Sequence, residues 1–171
     1  SYNGGKDAVV IMHLHRCIHA KYYEDHPSLT PTKPRNVYFA NPSEFPQVKH
    51  LLIETSEEYD LDVMCLEDIS FSKGLESIIN CEVQTLNGTE IQNKLAFVLG
   101  TRNTDPNSLG QETFAPSSDW MPPFMRVNPV LTWSYSSIWY FLRLFNLPYC
   151  ELYDEGFTSL GKVEDTFECP G

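Results

Sequence analysis

Residues 1–20, SYNGGKDAVVIMHLHRCIHA, place two adjacent glycines directly before a stretch with helical periodicity. Gly4 and Gly5 can adopt backbone angles that residues with a side chain disfavour, so their N–H groups can turn inward around an anion. Residues 8–20 contain neither Gly nor Pro. The apolar residues that recur there at helical spacing are Val10, Ile11, Leu14 and Ile18. The stretch therefore predicts an anion-binding loop that leads into the N-terminus of a helix.

The polar residues of this loop have the chemistry of a phosphate site. Ser1 and Asn3 bring polar side chains to its rim, and Lys6 adds a positive charge that we expect to be exposed. Asp7 adds a carboxylate that could bind Mg²⁺ or cap the helix. The N–H groups and the dipole of a helix N-terminus would strengthen the attraction of a phosphate. A simple glycine turn with a helix cap explains the same residues equally well, and the loop matches neither GxxxxGK[ST] nor GxGxxG.

The composition is that of a globular chain, and it predicts one domain over residues 1–171, with 42% hydrophobic and 13% aromatic residues. The apolar runs are too short to cross a bilayer, so no membrane partner is expected. The net charge of −11 disfavours nucleic acid as the main partner, because a strongly acidic surface repels phosphates. The acidic net charge is compatible with a small anionic substrate if positive groups or Mg²⁺ lie next to its binding site.

The five cysteines are scattered and include no CxxC pair, which is typical of reduced thiols rather than of a disulfide or zinc framework. We therefore expect a cytoplasmic protein. Reduced thiols are equally compatible with a mitochondrial form. Cys17 lies in the predicted helix, where we expect it to be buried. His13 and His15 are two residues apart, so a helix points them to different faces and they do not form a ligand pair.

Helices and short apolar strands alternate along the chain. The predicted strands are residues 36–40, 61–66 and 94–100, the predicted helices are 47–58 and 72–80, and 82–94 is predicted to be a loop with a helical turn. The run at 94–100 is almost continuously apolar, as in a strand that is buried on both faces. The alternation predicts an α/β fold with a mainly parallel sheet and helices on both faces.

The loops that follow the predicted strands bring charged residues to one edge of the sheet, where such folds bind ligands. TRNTDPN at 101–107 carries Arg102 and Asp105. We expect both to face the same cleft as the anion-binding loop at residues 1–7, which we call the glycine loop. Residues 101–123 show no regular pattern, which is typical of a functional or disordered loop. Trp120 in this loop could stack on a planar ligand or pin the loop to the core. Arg126 could grip a phosphate or form a surface ion pair.

A further helix with a clear apolar face is predicted at residues 133–145, with Ser134 or Thr132 as its N-cap. The residues expected to face the core are Ile138, Leu142 and Phe145. We interpret the aromatic residues of this helix as core packing rather than as a cofactor site.

Four sequence blocks together resemble one known family. They are SYNGGKD at 1–7, LGTRNTDPN at 99–107, WMPPFMRVNPVLTWSYSSIW at 120–139 and PYCELYDEGFTSLG at 148–161. In this order and at these intervals they resemble the eukaryotic FAD synthetases. These enzymes are FMN adenylyltransferases of the PAPS reductase-like branch of the N-type ATP pyrophosphatases. The resemblance covers essentially the whole chain and implies a three-layer fold of the adenine nucleotide alpha hydrolase-like type.

The resemblance implies that FMN and MgATP are the substrates and that FAD and pyrophosphate are the products. Together with the resemblance, the residue types lead us to expect catalytic roles for Lys6, Asp7 and Asp105, with the carboxylate of Asp7 as a ligand of Mg²⁺. The residues that the resemblance assigns to the ATP phosphates are Asn3, Gly4, Gly5, Lys6 and Asp7, and we add Ser1, Gly100 and Arg102 as further candidate ATP contacts. Those that it assigns to FMN are Asp105, Asp119, Trp120 and Arg126. No general base is assigned, because the attacking phosphate of FMN is already an anion.

The chain also departs from the family pattern. Members tend to show an aspartate a few residues before a Trp-Pro pair, whereas here Asp119 adjoins Trp120 and an extra residue precedes Pro122. The resemblance further leads us to expect a strand ahead of Ser1 and an arginine-bearing segment after Gly171, both outside this numbering. We expect the protein to be a monomer.

Two alternatives to the adenylyltransferase stay open. A PAPS or APS reductase, or another N-type ATP pyrophosphatase, would share the fold and much of the glycine loop. Cys169 in ECPG at 168–171 would then be the candidate catalytic cysteine, although its neighbours differ from the reductase motif. The second alternative is a flavin or nucleotide binder that has kept the cleft but lacks catalysis.

Overall fold

The computed structural model describes residues 1–81, 83–86, 89–92, 95–106 and 108–169. The helices are α1 (Lys6–Asp25), α2 (Pro46–Glu58), α3 (Phe71–Cys81) and α4 (Tyr135–Leu144). The strands are β1 (Arg35–Phe39), β2 (Asp62–Leu66), β3 (Val83–Leu86), β4 (Thr89–Gln92), β5 (Ala96–Val98), β6 (Phe114–Pro116) and β7 (Met125–Val127). Two 3₁₀ turns follow α4, at Glu151–Tyr153 and Val163–Asp165.

The start of the chain links two groups of parallel strands. Strands β1 and β2 pair in parallel, and so do β5 and β7, while β6 pairs antiparallel with β7. The N–H of Tyr2 donates to the carbonyl of Val37 in β1 at 2.9 Å, and the amino group of Ser1 donates to the carbonyl of Val98 in β5 at 2.9 Å. Residues 1–2 therefore lie between β1 and β5 and lead directly into the glycine loop.

Helices cover both faces of these strands. Tyr38, Val63 and Val98 pack on a buried cluster that is built by α1, α2 and α4. Their neighbours Val37 and Phe39 point to the opposite face, where α3 supplies Leu75, Ile78 and Ile79. Side chains alternate between faces along a strand, so this division places the strands in the middle layer. The predicted three-layer α/β fold is confirmed.

Helix α1 is buried only along its first half. Its buried side chains are Lys6 and those of residues 8–13, whereas Ile18 is 69% exposed and Cys17 is exposed. The predicted helix is thus present but Ile18 does not share its buried face, and the prediction that Cys17 is buried is wrong. The second half of α1 runs beyond the buried cluster, alongside solvent and a cavity of about 480 Å³ that β1 and β5 also line.

The segment at 82–94 was predicted to be a loop, but β3 and β4 form an antiparallel hairpin there. Residues 82, 87, 88, 93 and 94 lie outside the described residues. Leu86 pairs with Thr89, so the two residues between the strands are Asn87 and Gly88. In a sequence, Asn-Gly between two segments is a strong hairpin signal, and the prediction of a loop gave more weight to the polar composition.

Two further predictions about strands need correction. Residues 101–123 were predicted to have no regular structure, yet they contain β6, which pairs with β7. The strand at 94–100 was predicted to be buried on both faces, but β5 has an exposed Ala96 and only Phe97 is fully buried. Three-residue strands carry too few residues for a periodicity to be visible, so the pairing partner decides whether they form.

Helix α4 begins at the residue that follows Ser134, whose hydroxyl accepts a hydrogen bond from the N–H of Ser137 at 3.0 Å. This contact selects Ser134 over Thr132 as the N-cap. Ile138 and Leu142 are fully buried against α1, as predicted. Phe145 is exposed instead, because the helix ends at Leu144 and Phe145 is its C-cap.

None of the helices in the described part of the chain combines the length and the hydropathy that a membrane span requires.

His13 lies in the buried half of α1, with its ring edge against Tyr59 at a centroid distance of 4.8 Å. Its Nδ1 is 3.0 Å from a guanidinium nitrogen of Arg16. Burial, together with the charge of Arg16, lowers the pKa of His13 from 6.5 to about 4. The imidazole is therefore neutral in the folded protein near neutral pH.

We expect acid to destabilise the fold through His13. Its pKa is lower in the folded state than in the unfolded state, so the unfolded chain binds the proton first as the pH falls below 6.5. Between pH 6.5 and 4 this group should cost up to about 3 kcal/mol of unfolding free energy. Urea unfolding at pH 7, 5.5 and 4.5 measures the loss. His13→Gln should show a shallower pH dependence, whereas the exposed His50→Gln should keep the slope of the parent; equal slopes in all three proteins would contradict the assignment.

Candidate functional site

Four charged side chains form a continuous network, which we call the charge chain: Lys6 and Asp7 from the first turn of α1, and Arg102 and Asp105 from the loop after β5. The Lys6 ammonium lies 2.9 Å from one carboxylate oxygen of Asp7, and Nε of Arg102 lies 2.8 Å from the other. The second contact is an ion pair without the alignment of a hydrogen bond. The guanidinium of Arg102 donates to one oxygen of Asp105 at 3.0 Å, and its backbone N–H donates to the other at 2.7 Å. The structure thus brings the predicted catalytic residues together.

The two cations of the charge chain are buried. Lys6 is 3% exposed and Arg102 is also buried, while the side chains of Asp7 and Asp105 are partly accessible. The expectation that Lys6 is an exposed loop lysine is therefore wrong. Lys6 is the first residue of α1 and lies against the rings of Tyr135 and Tyr153, with its ammonium 5.1 and 5.6 Å from their centroids. Buried charges need partners, and the carboxylates supply them.

Of the two glycines in the glycine loop, Gly4 has a backbone conformation that requires glycine and Gly5 does not. Gly4 has φ +70°, and a Cβ there would lie 2.9 Å from Cγ1 of Val48, so both the conformation and the space require glycine. Gly5 is extended, with φ −67°, and precedes α1 as its N-cap residue. Its N–H donates to the side-chain oxygen of Asn3 at 3.2 Å. The N–H of Lys6 donates to the hydroxyl of Tyr153 at 3.0 Å.

Gly100 allows the second loop to approach α1. A Cβ at this position would lie 3.1 Å from Cβ of Asp7 and 3.2 Å from its carbonyl carbon. The chain after β5 can therefore pass directly beside the first turn of α1. The N–H of Asn103 then donates to the carbonyl of Leu131 at 2.8 Å, which anchors the loop. This close approach positions Arg102 next to Asp7.

The remaining predicted residues lie apart from the charge chain. Ser1 is held between the strands, and Asp119 and Trp120 are exposed, Trp120 at 73%. Trp120 does not pin its loop to the core; Met121 and Phe124 are buried and do so. The guanidinium of Arg126 donates to the carbonyl of Pro116 and to the hydroxyl of Ser118, both at 3.0 Å, so it closes the loop on itself. Within the described residues no contact joins Asp119, Trp120 or Arg126 to the charge chain.

Residues 1–168 match the family of the phosphoadenosine phosphosulfate reductase domain. The chain belongs to this family. Several similar proteins carry a more specific name. A probable FAD synthase of Schizosaccharomyces pombe is 34% identical over 99% of this chain and 60% of its own length. A probable FAD synthase of Caenorhabditis elegans is 32% identical over 99% of this chain, but over only 30% of its own length.

Solved structures agree with this placement. The crystal structure of Candida glabrata FMN adenylyltransferase in complex with FMN and an ATP analogue superposes with a TM-score of 0.82 at 32% identity, over 99% of this chain and 56% of that one. A PAPS reductase from Candida auris superposes with a TM-score of 0.61 at 14% identity, which shows the shared fold alone. The chain thus spans 30% to 60% of the length of these FAD synthase and FMN adenylyltransferase relatives.

The charge chain does not form a Mg²⁺ site by itself. Mg²⁺ prefers several oxygen ligands in octahedral geometry. Both carboxylate oxygens of Asp7 already face cations, Lys6 and Arg102. Within the described residues, no group of three or more His, Cys, Asp or Glu side chains could hold a metal ion. These residues therefore do not fit the predicted ligation of Mg²⁺ by Asp7.

Tyr153 and Tyr135 belong to the site although the sequence did not indicate them. Tyr153 lies in the 3₁₀ turn after α4 and reaches the glycine loop across 147 residues of sequence. Tyr135 is the first residue of α4 and supplies the second ring beside Lys6. No local pattern predicts such contacts, because only the packing of α4 on α1 brings these rings to the loop.

We expect Arg102→Met to lower the unfolding free energy by roughly 2–4 kcal/mol, because it removes the buried cation that the carboxylates of Asp7 and Asp105 share. Lys33→Met is the matched control, because Lys33 and Asp60 form an ion pair at only 2.6 Å but both side chains are exposed. That variant should change stability little. Guanidinium unfolding compares the two, and equal losses would contradict a structural role for the charge chain.

Gly4→Ala should destabilise the protein more than Gly110→Ala. Both glycines have positive φ, +70° and +76°, so both variants incur the same backbone strain of roughly 1–3 kcal/mol. Only at Gly4 does the new Cβ meet another residue, Val48, whereas nothing lies within 4 Å at Gly110. Thermal unfolding of both variants measures the difference. A Gly110→Ala variant that loses as much as Gly4→Ala would show that close packing at Gly4 contributes nothing.

Proposed function

We propose that this chain forms the catalytic region of an FMN adenylyltransferase, which makes FAD and pyrophosphate from FMN and MgATP. The observation that carries the proposal is the charge chain. It joins the glycine loop at the N-terminus of α1 to the loop after β5, with two cations in place. The similarity to FAD synthases over 99% of this chain supports the same reaction.

The proposed reaction transfers an adenylyl group. An oxygen of the FMN phosphate bonds to the α-phosphorus of ATP, and the bond from that phosphorus to the oxygen bridging to the β-phosphate breaks, so pyrophosphate leaves. The nucleophile is an anion, so no side chain has to remove a proton. Such a transfer needs mainly alignment of the two substrates and compensation of their charge.

Lys6 and Arg102 are suited to that compensation. A lysine ammonium has three donors, and the structure commits one of them, to Asp7. Nε of Arg102 contacts Asp7, and one of its terminal nitrogens donates to Asp105. Its other terminal nitrogen has no partner among the described residues. Asp7 and Asp105 hold both cations in position before the substrate arrives. Preorganised charges of this kind stabilise a transition state without further reorganisation.

The flavin would be bound by the loop between β6 and β7. Trp120 projects from this loop with most of its indole exposed, while Met121 and Phe124 hold the loop on the α3 face. An exposed indole on an anchored loop offers a flat surface for a planar ring system. We therefore assign Trp120 to the isoalloxazine ring, with Asp119 on the same loop and Arg126 in the adjoining strand β7.

The test is to incubate the chain with FMN, ATP and MgCl₂ and to measure FAD by chromatography and pyrophosphate by a coupled assay. We expect FAD and pyrophosphate in equal amounts, and no product when EDTA removes Mg²⁺. Trp120→Ala should raise the KM for FMN about tenfold or more, because stacking contributes roughly 1–3 kcal/mol. Phe114→Ala, which removes another exposed aromatic ring, is the control and should leave that KM unchanged.

Other outcomes separate the alternatives. Uptake of FMN or ATP without release of pyrophosphate would identify a binding protein and overturn the enzymatic proposal. Consumption of PAPS or APS with a thiol donor, lost in Cys169→Ser, would identify a reductase instead.

A further inference from the structure

The hydroxyl of Tyr153 occupies a position at the start of α1 where a phosphate oxygen would be expected. It accepts a hydrogen bond from the backbone N–H of Lys6 at 3.0 Å. Lys6 is the first residue of α1, so this N–H is one of the donors that have no partner within the helix. Such donors are what a helix N-terminus offers to an anion. In this structure the tyrosine has taken one of them.

The ring of Tyr153 is fixed in place. Tyr153 is 9% exposed, and its ring stands edge-on to Trp139 at a centroid distance of 5.3 Å. The ammonium of Lys6 lies 5.6 Å from the centre of the same ring. The hydroxyl therefore has little freedom to swing away when a ligand approaches.

The hydroxyl still has a proton to donate. Burial raises the pKa of Tyr153, so the phenol remains protonated at neutral pH. Its oxygen accepts from Lys6, and the structure pairs its own hydrogen with no acceptor among the residues that it describes. A phenol can accept and donate at the same time. The backbone N–H of Lys6 is thus occupied by the tyrosine oxygen, and the hydrogen of the tyrosine hydroxyl is the donor that a ligand would meet in its place.

We propose that Tyr153 is a phosphate-binding residue, whose hydroxyl accepts the N–H of Lys6 and donates its own hydrogen to a phosphate oxygen of the bound nucleotide. This inference rests on the proposed function, because it names a further contact for the ATP that the glycine loop would hold. A chain of two hydrogen bonds that ends on an anion is mutually strengthening, since each bond polarises the next. Tyr153 also keeps the Lys6 ammonium beside its ring, so one side chain organises both the amide and the cation.

The opposite role would be that of a plug. If the phosphate had to displace the hydroxyl in order to reach the N–H of Lys6, Tyr153 would compete with the nucleotide. The two roles predict changes of opposite sign when the hydroxyl is removed: a donor weakens binding when it is lost, and a plug strengthens binding.

Tyr153→Phe makes this distinction, because it removes the hydroxyl and keeps the ring that contacts Trp139 and Lys6. Tyr149→Phe is the matched control. The ring of Tyr149 also stands edge-on to Trp139, at 4.9 Å, and its hydroxyl donates to Asp154 instead of facing the loop. Calorimetric titrations with ATP and with inorganic pyrophosphate measure binding in the parent chain and both variants. A third titration, with adenosine as a competitor of ATP, reports on the nucleoside part of the site alone.

We expect Tyr153→Phe to bind ATP and pyrophosphate about tenfold more weakly or worse, which is the effect of losing a hydrogen bond to a charged group. Adenosine binding should not change, and Tyr149→Phe should match the parent in all three titrations. Tighter or equal binding of pyrophosphate by Tyr153→Phe would overturn the inference. So would an equal loss for adenosine, because it would reveal a general structural defect. A parent chain that does not bind pyrophosphate would also overturn it.

FAD formation by the parent chain, measured in parallel, keeps the two proposals apart. A parent that binds ATP without making FAD would refute the adenylyltransferase while leaving the titrations of Tyr153→Phe decisive. A parent that makes FAD, with Tyr153→Phe unchanged in both ATP binding and KM, would refute the role of Tyr153 alone.

Discussion

The carboxylate of Asp7 is the group on which the site depends, because two buried cations share it. Lys6 contacts one of its oxygens and Arg102 contacts the other. A buried ammonium or guanidinium without a carboxylate would be strongly unfavourable, so the first turn of α1 and the loop after β5 have to lie side by side. Asp105 completes the balance by binding the far end of Arg102. Each of the four charges is thereby paired within the fold.

The backbone around Asp7 is shaped to allow this pairing. Gly4 turns the chain in a conformation that L-residues rarely adopt, and it does so against Val48 of α2. Gly100 removes the side chain that would separate the loop after β5 from α1. Residues 1–2 hold the loop to β1 and β5 through their backbone groups. The position of the charges is thus set by backbone packing, and a ligand would meet them already assembled.

This arrangement also explains how an acidic chain could bind anionic substrates. The net charge of −11 belongs to the surface as a whole, whereas the site has two cations with uncommitted donors and a helix N-terminus. Local donors at short range outweigh a diffuse field that salt screens over about 10 Å. The aromatic residues have separate places: Tyr135 and Tyr153 enclose Lys6, and Trp120 is exposed on its own loop.

The sequence by itself determined the alternation of strands and helices and the glycine turn before α1, and it narrowed the cap of α4 to Ser134 or Thr132, because propensity, periodicity and capping are local properties. It also placed Arg102 and Asp105 beside the glycine loop, since the ends of parallel strands meet at one edge. Only the tertiary structure decided that Lys6 is buried, that Ile18 and Phe145 are exposed and that Trp120 does not anchor its loop. The contact from Tyr153 to Lys6 joins residues 147 positions apart. Contacts between residues so far apart in the sequence depend on how the helices pack across the sheet, and no short window of sequence carries that information.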